Sequence, residues 1–299
     1  MPIGAIPNAQ REAAERARKI SRRRFLLGAA AAATTLGVYA GTHARHELDI
    51  TYNVLPIYNL PDAFVNFRIV QISDIHLDEY TENWFLEKIV QQTNELNPDL
   101  VLLTGDLVSR GPLGLRVSWD AAGRGAEILS GLKAPQRFAI LGNHDVAVGA
   151  KRVIQPLEAH GTPVLIDSFF PLERGYDRLY IAGANNATYR IPDLNITIPA
   201  DPRAPVILMV HEPDYADTVI RHPRFPLIDL MLSGHSHGGQ VRLPGLGPLV
   251  LPPMGRKYVA GQFQFGHMQL YVNRGIGTVG MPFRLNCPAE LTQFKLIQA

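Results

Sequence analysis

A chain of 299 residues, 46% hydrophobic and 19% charged, is long enough for one large domain or two small ones with a sizeable buried core. Its formal net charge of +2 is uneven: residues 1–24 hold seven basic side chains (Arg11, Arg16, Arg18, Lys19, Arg22, Arg23, Arg24) against Glu12 and Glu15, which leaves 22 basic against 25 acidic residues in the rest. A body with that balance is a poor general nucleic-acid binder, since phosphates call for dense Lys and Arg, and a single cysteine, Cys287, excludes an intramolecular disulfide.

The first readable segment is Ser21-Arg22-Arg23-Arg24-Phe25-Leu26-Leu27, followed by Ala-rich apolar sequence to Gly41. The order resembles the twin-arginine export signal. An amphipathic surface helix is the plain alternative, but Phe25–Gly41 has no polar face beyond Thr34 and Thr35. Seventeen residues are marginal for crossing a hydrocarbon layer of roughly 30 Å. Cleavage after Ala40 or Ala44 fits a small-residue site, and retention as an anchor is the other outcome. The expectation is therefore a twin-arginine signal or anchor over residues 1–45 and a folded domain over 46–299. The resemblance implies passage through the twin-arginine translocase, which moves folded proteins, a periplasmic or extracytoplasmic body, and membrane association through residues 25–41 if the segment stays attached.

The body opens with an extended lead-in, 46–66, carrying Pro56 and Pro61. Short β-branched apolar runs then recur, and each stops at polar residues. The run 67–73 ends in Asp74-Ile75-His76, 99–105 in Asp106, and 137–142 in Asn143-His144-Asp145. Further on, 205–210 ends in His211, and 227–234 ends in His235-Ser236-His237. Runs of this length and type suit buried strands. Helical periodicity lies between the first of them, over 81–96 (Trp84, Phe85, Leu86, Ile89, Val90, Leu96), about 117–132 and about 151–160. Strand and helix alternating at this spacing indicate βαβ units. Residues 164–166, 170–172, 179–183, 268–273 and 291–297 read as further strands. Two sheets between helices accommodate the count: an α/β fold, a four-layer αββα sandwich of two mixed sheets flanked by helices.

All five polar clusters fall at the carboxyl end of an expected strand, where open α/β sheets place their ligands. They supply the carboxylates of Asp74 and Asp106, the amide of Asn143 and the imidazoles of His76, His211, His235 and His237. Nitrogen and oxygen donors without thiolate suit Mn, Fe, Zn or related ions. Seven donors exceed what one ion takes while keeping a reactive position open, whereas two ions sharing a carboxylate use them all.

Asp-x-His, Gly-Asp, Gly-Asn-His-Asp, a lone His and Gly-His-x-His, in this order, resemble the calcineurin-like metallophosphoesterase family. Gly238–Pro244 and NRGIGTVGMPFRLNCPAE (273–290) resemble its exported or membrane-anchored subgroup, related to UDP-2,3-diacylglucosamine hydrolases. The resemblance implies one divalent ion on Asp74, His76, Asp106 and His237 and a second on Asp106, Asn143, His211 and His235, with Asp106 shared. It further implies hydrolysis of a phosphodiester or diphosphate bond by a hydroxide bridging the ions. His144 would stabilise the transition state and protonate the leaving oxygen, and Asp145 would orient and charge-stabilise that imidazole. The implied substrate is a phosphoester, lipid-linked or a nucleotide-sugar, and no nucleic acid is expected.

A metal-binding envelope protein that keeps the fold without turnover is the competing class, and the complete set with His144 argues against it. His43, His46, His160, His222 and His267 match no motif and read as surface or packing residues. Trp84 and Trp119 read as core, and Cys287 as buried rather than reactive. Arg242, Arg256, Lys257, Arg274 and Arg284 stand in Gly/Pro-rich surroundings. They are solvated surface charge or cations that hold a substrate phosphate. Residues 243–255 (LPGLGPLVLPPMG) form either a greasy lip for an acyl chain or a cover for a sheet.

Overall fold

A computed structural model describes residues 8–78, 80–109 and 120–299. In chain order the first elements are α1 (Asn8–Thr42), β1 (Leu48–Ile57), β2 (Arg68–Ile72), α2 (Asn83–Glu95), β3 (Leu100–Leu103), α3 (Ala121–Leu129), β4 (Gln136–Ala139) and α4 (Asn143–Ala159). Then come β5 (Ser168–Arg174), β6 (Asp177–Gly183), α5 (Leu194–Thr197), β7 (Val206–Met209), α6 (Ala216–Val219) and β8 (Leu230–Ser233). The chain closes with β9 (Arg242–Leu243), β10 (Gly247–Pro248), β11 (Gly261–Phe265), β12 (Met268–Val272) and β13 (Ala289–Gln298).

The apolar runs lack polar alternation because both faces of their strands are covered. In β3, Leu100 and Leu102 enter one core while Val101 and Leu103 enter another. In β7, Ile207 and Met209 join Leu100 and Leu102, while Val206 and Leu208 face a third cluster. The shared middle core means that two sheets stack face to face. One runs β1-β13-β2-β3-β4 and the other β11-β12-β8-β7-β6-β5. Both are mixed: β2, β3 and β4 run parallel, as do β6, β7, β8 and β12, while β13 against β2, β5 against β6 and β11 against β12 are antiparallel. Helices α2 to α4 cover the outer face of the first sheet through Phe85, Leu86, Ile89, Leu129 and Val153. Leu194, Tyr215 and Val219, from shorter pieces, cover the second. The four-layer α/β sandwich is the observed fold.

Several details differ from the sequence expectation. Helix α4 begins at Asn143, eight residues early, because Gly142 serves as its N-cap and Asp145 at the third position accepts from the Gly142 amide at 3.0 Å. A break at Gly149 (φ 126°) hides the helical period there. Residues 164–166 form only an isolated bridge, Val164 with Ala139. Gly261–Phe265 alternates half-buried and exposed residues and forms β11, a strand beyond those expected from the sequence. Trp84 is half exposed, against the expectation of core. The buried stripe of α2 is Phe85, Leu86, Ile89, Val90 and Thr93, and Trp84 sits at its edge with its ring 4.7 Å from that of His46. The reading of Trp119 falls outside the described residues. The expected boundary at residue 45 lies inside packed structure. Ala40 and Ala44 are buried, Arg45 donates to Tyr80 O at 2.6 Å and pairs with Glu82, and His46 meets Glu82 at 2.9 Å.

Candidate metal centre

The parallel strands of both sheets send their carboxyl ends to the same edge. β2 delivers Asp74 and His76, β3 Asp106, the β4–α4 junction Asn143 and His144, β7 His211, and β8 His235 and His237. Gln71, buried, ties the sheets together at this edge by donating to Thr104 Oγ1 (2.9 Å) and Ser233 O (3.0 Å). The chain turns sharply after each strand. Asp74 (φ 51°), His76 (49°), Asp106 (55°), His235 (68°) and His237 (52°) all adopt the left-handed region. Each costs on the order of 1 kcal/mol for a side chain of this kind. Bonds between motifs hold them there: Asp74 N donates to Gly105 O (3.0 Å), His76 N to Asp106 O (3.0 Å) and His235 N to Asp74 Oδ1 (3.0 Å). Strain concentrated at five convergent donors points to function.

Potential ligand atoms of Asp74, His76 and His237 lie within 4.8 Å of one another, as do those of Asp106, His211 and His235. A third such group, His76, Asp106 and His144, joins them. His76 Nε2 is 3.0 Å from His237 Nε2, and His237 Nε2 is 3.4 Å from Asp74 Oδ1. Asp106 Oδ2 stands between the groups, 3.2 Å from His211 Nε2 and 3.6 Å from His76 Nε2. Its other oxygen accepts from the His144 amide at 2.8 Å. Second partners set the ring nitrogens. His211 Nδ1 meets Thr104 O at 2.7 Å, which presents Nε2, and His235 Nε2 meets Pro253 O at 2.8 Å, which presents Nδ1.

The residues fit metal ions. Asn143 Oδ1 is buried and accepts no hydrogen bond among the described residues, as suits an oxygen that ligates. Burial works against charge on Asp74 and Asp106, yet the surrounding imidazoles hold both carboxyls below their ordinary range, His237 foremost for Asp74 and His211 for Asp106. Burial likewise opposes charge on His211, but Asp106 and Asp74 draw its imidazole well above the usual value. The pocket between the two carboxylates therefore favours positive charge. Burial keeps His235 and His237 neutral, with His211 adding to it for His235 and His76 and Arg284 for His237. Neutral imidazole is the form that ligates.

All seven expected donors thus meet at one edge, and His144 joins them with its ring centroid 4.9 Å from that of His76. The expected partnership of Asp145 with His144 is not what the structure shows. Asp145 Oδ1 accepts from Val108 N (3.1 Å) and Oδ2 from Gly142 N (3.0 Å), so the carboxylate caps α4 and pins the loop after β3. Burial and the charge of Asp106 push that carboxyl up to about 7. The ring of His144 is held instead by Ser109, whose Oγ is 2.9 Å from Nδ1. Ser109 carried no motif signal. Ser73, donating to Asp74 Oδ2 at 2.6 Å, and Glu212 were also missed. Glu212 gathers Asn186 Nδ2, Ala187 N and Thr188 N and braces the turn after His211. Only its place beside a donor hinted at this.

The five basic residues divide. Arg274 pairs with Glu290 (3.0 Å) and Asp49 (2.7 Å), and Lys257 pairs with Asp217 (2.7 Å). Arg242 donates to Gly238 O at 2.9 Å, and Arg256 is exposed. Arg284 is neither surface charge nor a phosphate holder. It is fully buried, and its two terminal nitrogens donate to the carbonyls of Cys287, Pro288, Arg274, Gly275 and Gly277. It laces together the loop beneath Asp74, where Ile276 N and Gly277 N bond Ser73 O and Asp74 O.

Glycine at the motifs has a steric reason. A Cβ on Gly142 would land on the Asp106 carboxylate and its backbone nitrogen, and one on Gly234 would land on Ser73 Oγ and Asp74 Oδ2. Backbone nitrogen cannot move aside. Gly142→Ala is expected to lose at least about 1–3 kcal/mol of stability, with Tm falling about 2–4 °C per kcal/mol, and to weaken metal binding in parallel. Thermal unfolding and metal titration of the variant check this; wild-type values for both would mean that Asp106 does not pack against this turn.

The calcineurin-like phosphoesterase family matches residues 67–239, the stretch carrying every donor above. Over 298 residues the chain is 34% identical to the uncharacterized metallophosphoesterase YkuE of Bacillus subtilis, covering 93% of this chain and 98% of that protein. It is 28% identical to phosphodiesterase YaeI of Escherichia coli, covering 93% and 100%. Against UDP-2,3-diacylglucosamine pyrophosphatase LpxG of Chlamydia trachomatis the identity is 29%, covering 74% and 82%. Strand-end donors, strained turns and a match across more than half of the sequence lead to one conclusion: the chain belongs to the calcineurin-like phosphoesterases, metal-dependent hydrolases of phosphoester bonds.

Proposed function

We propose that the centre holds two divalent ions, of Mn, Fe or Zn, and hydrolyses a phosphodiester or diphosphate bond in a lipid-linked or nucleotide-sugar substrate at the cell envelope. The observation that carries this reading is Asp106 Oδ2, placed between His211 and His76 and so open to both donor groups. Asp74, His76, Asp106 and His237 would hold one ion, and Asp106, Asn143, His211 and His235 the other. Ions bound there supply the positive charge that activates water and steadies the phosphoryl oxygens in an in-line displacement. His144, steadied through Nδ1 by Ser109, donates a proton from Nε2 to the leaving oxygen. Asp145 acts through the backbone, holding the α4 terminus that presents Asn143 and His144.

The names of YaeI and LpxG support phosphodiester and diphosphate chemistry, with UDP-2,3-diacylglucosamine as the model substrate. Ser21–His46 is long and apolar enough to cross a membrane. Its basic N-terminal flank stays cytoplasmic by the positive-inside rule. Together with the Ser-Arg-Arg-Arg-Phe-Leu-Leu order, this supports residues 1–45 as a twin-arginine signal or anchor and an extracytoplasmic body over 46–299.

Chelation tests the reading. Protein stripped with a strong chelator is expected to lose hydrolysis of bis(p-nitrophenyl) phosphate and to regain it on addition of Mn, Fe or Zn. Elemental analysis of the active form should return two ions per chain. Full activity with one ion, or in excess chelator, would refute it.

A further inference from the structure

We infer that the rim formed by the β9–β10 ribbon and the 279–283 loop docks on a lipid bilayer, so that the metal centre opens toward the membrane and takes its phosphoester from lipid. The inference rests on the phosphoesterase reading and names the source of its substrate. Leu246, Leu249, Val250 and Met281 are exposed, Leu246 at 78% and Val250 at 73%. Four large apolar side chains on one rim mark an interaction surface.

This rim is built onto the centre. A Cβ on Gly239, two residues from His237, would meet Pro248 and Leu251, and His235 bonds Pro253 O. Gln240 ties both halves together: its Nε2 donates to Met281 O (2.9 Å) and Val279 O (3.2 Å), while Leu249 N donates to Val241 O (3.0 Å) beside it.

The occupant is identified by α1. A Cβ on Gly28 or Gly37 would meet nothing within 4 Å beyond the helix itself, and Phe25, Leu26, Leu27, Leu36 and Val38 are exposed, so the apolar helix projects away from the body. Among the described side chains of α1, those of its last turn pack, and they pack on this rim. Arg284 N donates to Ala40 O at 3.1 Å, and Gly41 lies against the Phe283 ring. A bilayer receiving α1 therefore meets the body at Met281 and the β9–β10 ribbon. Tyr39, at the helix end, stands where aromatic residues sit in the interfacial belt. Ala40 and Ala44, the two candidate cleavage positions, are buried, and residue 40 lies within helix. A peptidase needs an accessible extended segment, so the packing favours a helix that stays attached.

The test uses the full chain in vesicles of phosphatidylethanolamine and phosphatidylglycerol. Cys287, the only cysteine, is buried, so Val250→Cys and Tyr176→Cys each accept one environment-sensitive fluorophore. Tyr176 is exposed in the β5–β6 turn, at the opposite end of the strands. The probe at 250 is expected to shift to the blue and to be quenched by spin-labelled lipid, and the probe at 176 to do neither. Equal, water-like emission at both positions in chains that float with the vesicles would overturn the docking. In a second arm, Leu246→Ser/Val250→Ser should hydrolyse soluble bis(p-nitrophenyl) phosphate at the parental rate. It should cleave vesicle-borne hexadecyl p-nitrophenyl phosphate on the order of ten-fold more slowly. Equal rates on the vesicle substrate would also overturn the docking. Failure of the parent to cleave the soluble ester would instead sink the phosphoesterase reading and leave the fluorescence arm to judge the rim.

Discussion

Asp106→Asn is expected to lower metal occupancy below two ions per chain and to reduce hydrolysis of bis(p-nitrophenyl) phosphate by on the order of 10³-fold. A metal's electrostatic contribution of several kcal/mol, at 1.36 kcal/mol per decade of rate, sets that scale. The substitution keeps the size of the side chain but removes the charge of an oxygen that lies within 3.6 Å of both His211 and His76, one from each donor group. If the amide nitrogen takes that place, it sets donor hydrogens against His211 and His76, 3.2 and 3.6 Å away. If the amide oxygen takes it instead, the nitrogen faces the His144 amide and that bond is lost. Neither rotamer serves two ions. Elemental analysis and steady-state rates measure both effects. Wild-type turnover in the variant would end the assignment of Asp106 as a shared ligand.

His144→Ala separates chemistry from binding. The ring lies beside the donors, but the seven proposed ligands do not include it, so metal content should match the parent while kcat on a substrate with an alkyl leaving group falls 10²–10⁴-fold, the usual scale for a positioned acid. The loss should depend on the leaving group. It should be small with p-nitrophenolate, which needs little protonation, and large with an alkyl alcohol. A structural role would lower both equally, and an equal loss would count against proton donation. Ser109→Ala should reproduce a weaker version of the same pattern, since Ser109 holds Nδ1 of that ring at 2.9 Å.

The cluster of candidate donors was legible along the chain because few residue types offer carboxylate oxygen or imidazole nitrogen and because all of these stop short apolar runs. Asp74, His76, Asp106, Asn143, His211, His235 and His237 were named from that pattern. The strands that carry the donors and helices α2 and α3 followed from burial periodicity, which is a local property. Contacts across long stretches of chain were not legible. His76 and His237, 161 positions apart, stand 3.0 Å from each other, and only packing of the two sheets brings them there. Asp145 beside His144 looked like a partner, but helix geometry turns its carboxylate back to Gly142 and Val108. Arg284 looked like surface charge in a Gly/Pro-rich tail, but the connection between β12 and β13 curls around it, and five carbonyls of that one loop, seated under Asp74, made it core. Donor identity is written in single residues, whereas charge burial, ring orientation and strained backbone arise only when distant segments close on one another.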